Sequence, residues 1–200
     1  MEVQQQNQQP LEIASKQNLI NAMEVGDKRA INVCLQSYKT PSGSANYPAL
    51  FSIPTVQRLP ALYESEPAKI AAIVTTGLTL SIESMNLSRP MNASQIVDLA
   101  DTILDSSKED NLSLEDVMLF LQKLIRGEYG KLYESMDIPK FMEFFEIYRE
   151  ERYQAIKQLR EENFVQFKAT PINDRIIDWN GGSEKDKQRE ALKDYLINKK

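Results

Sequence analysis

The residues of this chain best equipped for chemistry lie within one short stretch. Tyr129, Lys131, Tyr133 and Asp137 place two phenols, an ammonium and a carboxylate around Gly130. Such a group could form a small recognition surface for a partner or a nucleotide base. A plainer role is equally well defined. The tyrosines can be anchors with buried rings and bonded hydroxyls, Gly127 and Gly130 can serve a chain reversal, and Asp137 can cap a helix. The anchoring role is the preferred expectation. Glu151 and Arg152, further along, pose the same alternative between an ion pair inside the fold and a contact with a partner.

Other chemistry is narrowed by composition. There is no histidine, which removes imidazole acid–base catalysis, Ser-His triads and most zinc sites. No glycine-rich phosphate-cradling motif occurs. Asp98, Asp101 and Asp105 fall on one side of a helix, but with no second carboxylate group to complete an oxygen shell they are expected to be a solvated acidic face. The single Cys34 shares a face with Ile31 and Leu35 and is expected to pack rather than react. No catalytic residue, metal site or cofactor is therefore assigned, and the chain is not expected to be an enzyme.

Helices must position these groups. Ser113 is an N-cap candidate, with Glu115 and Asp116 suited to the positive end of the helix dipole. Val117, Phe120, Leu121 and Leu124 then repeat at helical spacing. Gly127 marks the stop. Asp137 with Pro139 opens a second helix, expected over 138–167, whose inner face is Phe141, Phe144, Phe145 and Tyr148. At about 1.5 Å per residue that helix is longer than a small domain is wide, so its second half is expected to project. There the polar residues dominate, and Ile156, Leu159, Phe164 and Phe167 remain as an apolar strip suited to docking.

Upstream, 11–25 reads as a weak helix with Leu11, Ala14, Asn18 and Ala22 on its face. Asp27 caps a better one over 28–38. The segment 40–60, with four prolines, cannot be one regular element. Pro67 opens a helix that is apolar nearly all round and hence central, where Gly77 implies tight packing. Asn92 and Gln95 form a capping box before Ile96, Leu99, Ala100 and Ile103. Ser183 caps a last amphipathic helix over 184–197. No convincing strand is present. The expected architecture is all-α: a disordered N-terminal tail over 1–12, a single helical-bundle domain over 13–167 with the projecting helix, and a tail over 168–200.

The run G-E-Y-G-K-L-Y-E-S-M-D, followed ten residues later by Y-R-E-E-R, resembles a family of proteins encoded in phages and mobile elements of Bacteroidetes gut bacteria. The matching positions are Gly127, Tyr129, Gly130, Lys131, Tyr133, Asp137, Tyr148, Glu151 and Arg152. The likeness extends loosely upstream to about Val56, roughly half of the chain. Where the family tends to carry a tryptophan before the Tyr-x-x-Glu-Arg end, this chain has Phe144-Phe145. The resemblance implies kinship and a phage or mobile-element setting, and no assigned activity.

The net charge of −5 disfavours general binding to polyanions. No apolar run approaches the length of a membrane span, and the N-terminus is polar, so neither a span nor a signal peptide is expected. One cysteine fits a reducing, cytoplasmic compartment. The leading expectation is a non-enzymatic accessory protein that works through protein contacts, self-association among them, with replication suggested by analogy to helical loader proteins. The alternative is a nucleic-acid-binding accessory using Lys131, Arg149, Arg152, Lys157 and Arg160.

Overall fold

The computed structural model describes the backbone of residues 9–130 and 135–169, and the side chains of 17–130, 135–162, 164 and 165. The described residues are all-α. Eight α-helices follow one another: α1 (Gln9–Val25), α2 (Lys28–Cys34), α3 (Tyr47–Ser52), α4 (Leu59–Ser65), α5 (Pro67–Ser84), α6 (Ala93–Asp110), α7 (Leu114–Ile125) and α8 (Ile138–Ala169), with 3₁₀ turns at Gln36–Tyr38 and Thr55–Gln57. The chain divides into two compact units, Met1–Ile156 and Lys157–Lys200, and the division falls inside α8. No helix among the described residues is long and apolar enough to cross a membrane. The expected helix over 184–197 lies outside the described residues.

Capping chemistry sets most of the helix starts. Asp27 accepts from the amides of Arg29 and Ala30, and Asn92 and Gln95 complete their capping box. Asp137 accepts from the amide of Lys140 at 2.9 Å, as an N-cap should. Gly127 and Gly130 both take positive φ, 72° and 122°, as the reversal between α7 and α8 requires. Asn111 ends α6 at φ 50°, a left-handed position that Asn tolerates better than most residues.

The expectations for α1 and α2 are corrected. α1 begins at Gln9, inside the stretch read as tail, because Pro10 sits in the first turn where its missing N–H is no loss. Its buried face is Leu19, Ile20, Ala22 and Met23 while Asn18 is exposed, so the helix is rotated relative to the expected stripe. The helix expected over 28–38 stops at Cys34 and tightens into the 3₁₀ turn. The proline-rich segment, as expected, is not one regular element: it resolves into α3, a 3₁₀ turn and α4, each with a proline at or beside its start.

α5 is the centre of the first unit and packs against α1, α4, α6 and α7. A Cβ on Gly77 would lie 2.9 Å from both Met118 Sδ and Met23 Cε, so the tight approach expected there is real. α7 is buried on every side from Leu114 through Leu121. The Phe120 ring lies at its centre, 5.3 Å from Phe141, 5.0 Å from Phe145 and 5.7 Å from Tyr148. Fully buried rings of this kind contribute roughly 1.5–3 kcal/mol each relative to exposure.

Candidate functional site

Arg152 and Tyr148 meet a carboxylate that the sequence had read only as a first-turn acid of α7, Asp116. Asp116 belongs to the first turn of α7, where an acid is favoured by the dipole, yet it is 0% exposed. Its Oδ2 accepts from the Ser113 amide and the Ser113 hydroxyl, each at 2.9 Å. Its Oδ1 accepts from the Tyr148 hydroxyl at 2.9 Å and from Arg152 Nε at 3.0 Å. The Arg152 guanidinium also donates to the Asp110 carbonyl at 3.0 Å and lies 5.1 Å from the centre of the Phe51 ring. Arg152 is 4% exposed. Of its two expected roles, the geometry is that of the ion pair inside the fold. Burial and the adjacent Asp116 push the Tyr148 phenol well above its ordinary value, so it remains a donor.

Glu151, one position earlier, faces a second group. Lys123 Nζ donates to it in a short hydrogen bond, and the Tyr47 hydroxyl donates to it at 3.4 Å. The ammonium stands 5.1 Å from the Tyr129 ring centre and 5.9 Å from that of Tyr148, a cation–π arrangement with the carboxylate as counter-ion. Burial first, then Glu151, raises the phenols of Tyr47 and Tyr129. The Tyr129 ring also stacks on Phe144 at 6.1 Å. Its hydroxyl is buried with no hydrogen-bond partner among the described residues.

Of the four-residue group of the sequence, Tyr129 and Asp137 are among the described residues. Tyr129 joins the Lys123–Glu151 cluster, and Asp137 is exposed at the start of α8 with its carboxylate on the Lys140 amide. Lys131 and Tyr133 lie outside the described residues. Along α8, Ile156 and Leu159 are half-buried, while Tyr153, Phe164 and Val165 are 59%, 57% and 64% exposed. The side chain of Phe167 is outside the described residues.

Two arginines offered for nucleic acid are engaged elsewhere. Arg152 is paired to Asp116. Arg149 is held by Asp110 in a short contact, by Glu109 at 2.8 Å and by Glu146 at 2.6 Å, and these hydrogen bonds raise its pKa. Lys157 and Arg160 remain exposed.

Sequence reasoning missed Arg58. It is buried and donates to the carbonyls of Leu50, Phe51, Ile53 and Asn111, so one guanidinium caps the end of α3 and the turn after α6. Desolvation lowers its pKa. Nothing in the local pattern signals that role. Asp116 was legible only in part, because its spacing from Ser113 is that of a capping box while its burial depends on α8. Cys34 is half-buried, and burial raises its thiol, consistent with packing. Asp98, Asp101 and Asp105 are exposed, and no group of His, Cys, Asp and Glu among the described residues is arranged to hold a metal ion. No protein-family model, no curated protein and no solved structure matches this chain.

Proposed function

We propose that this protein is a non-enzymatic helical accessory of a phage or mobile element that works by docking a protein partner, a second copy included, along α8. One observation carries the proposal: on α8 the aromatic Tyr153 is exposed beside half-buried Ile156, and in the second unit Phe164 is exposed as well. Tyr153 and Ile156, three positions apart, are neighbours on one face of the helix. Aromatic residues so placed are the kind that anchor protein interfaces. The mobile-element setting is supported by the Gly127–Arg152 motif resemblance, and replication by analogy alone. The nucleic-acid alternative is not carried forward, because Arg149 and Arg152 are held by carboxylates of the same chain.

The test compares the full chain with a Tyr153→Ser/Phe164→Ser variant, by sedimentation and by capture from infected host cells. The variant should keep the parent's helical circular dichroism and lose its higher-order species or its captured partner. If both are retained unchanged, the α8 strip is not the docking surface.

A further inference from the structure

We draw no further inference here: the strongest candidate, the apolar groove between the end of α5 and the start of α6 lined by Ile82, Met91, Ile96 and Val97, is an unpartnered face, and nothing in the structure shows what covers it.

Discussion

Replacing Arg152 by Met is the sharpest perturbation of the buried network. The thioether side chain keeps much of the aliphatic packing near Phe51 but removes the charge that faces Asp116. Asp116 would then be a buried carboxylate with the Ser113 amide, the Ser113 hydroxyl and the Tyr148 hydroxyl as its remaining donors. Removing one partner of a buried pair typically destabilises by about 3–5 kcal/mol. Because three donors remain, the loss here should lie near the lower end, about 3 kcal/mol, with the Asp110 carbonyl also losing its donor. For a chain of this size that corresponds to a fall in Tm of roughly 6–12 °C.

A double-mutant cycle separates charge from packing. Asp116→Asn alone leaves Arg152 buried without its counter-charge and should be similarly damaging. The Asp116→Asn/Arg152→Met chain carries neither charge, so its loss should fall short of the sum of the single losses by about 1–3 kcal/mol. Urea unfolding followed by far-ultraviolet circular dichroism measures all four corners, with an unchanged slope confirming that the same surface is exposed. A single loss for Arg152→Met below about 1 kcal/mol, or additivity within about 0.5 kcal/mol, would refute the reasoning.

Three further outcomes follow from the packing and the buried phenols. Phe145→Ala, at a fully buried ring 5.0 Å from Phe120, should lower stability by about 3–5 kcal/mol in urea unfolding; a loss below about 1 kcal/mol would mean that α8 packs through another face. Gly77→Ala should change the urea midpoint little, since the gain in helix propensity of about 1 kcal/mol offsets displacement of the flexible ends of Met118 and Met23, whereas Gly77→Val should lose a further 1–3 kcal/mol or so by overpacking. Tyr148 has a folded pKa raised above the ordinary phenol value of 10.0, so above pH 10 the unfolded chain releases its proton while the folded chain keeps it. Its stabilising contribution is full below that pH and declines above it, by up to about 1.4 kcal/mol per pH unit; Tyr148→Phe should show a shallower alkaline decline in unfolding midpoints, and an unchanged decline would contradict the assignment.

Helix identity was legible wherever a cap and an apolar period coincided. Asn92 with Gln95, Ser113 ahead of α7, and Asp137 ahead of α8 announce their helices through local chemistry, and the structure starts each helix there. α1 was legible as a helix but not in its facing, because Leu11, Ala14, Asn18 and Ala22 make a poor stripe and the position of α5 decides which side is covered. The candidate site was less legible for a reason of the same kind. Burial of Asp116 results from Tyr148 and Arg152, 32 and 36 residues away in sequence, and capping spacing is identical for an exposed and a buried acid. Arg58 joins carbonyls at the end of α3 to that of Asn111, 53 residues from Arg58 in sequence, a pairing with no sequence period at all.

The same geometry bears on what the Tyr-x-x-Glu-Arg motif means. Tyr148 and Arg152 are one helical turn apart, so both reach Asp116 from the same side of α8, while Glu151 between them is offset toward Lys123 and Tyr47. Two adjacent ion pairs thereby join α8 to α7, and the Arg152 ring contact and the Tyr47 hydroxyl join it to α3. Such a motif specifies how α8 seats on the bundle. A lysine in place of Arg152 would be a poor substitute, because one ammonium cannot match the directed donors that the guanidinium sends to Asp116 and to the Asp110 carbonyl. Proteins sharing these residues would share the way this part of α8 seats on α7 and α3.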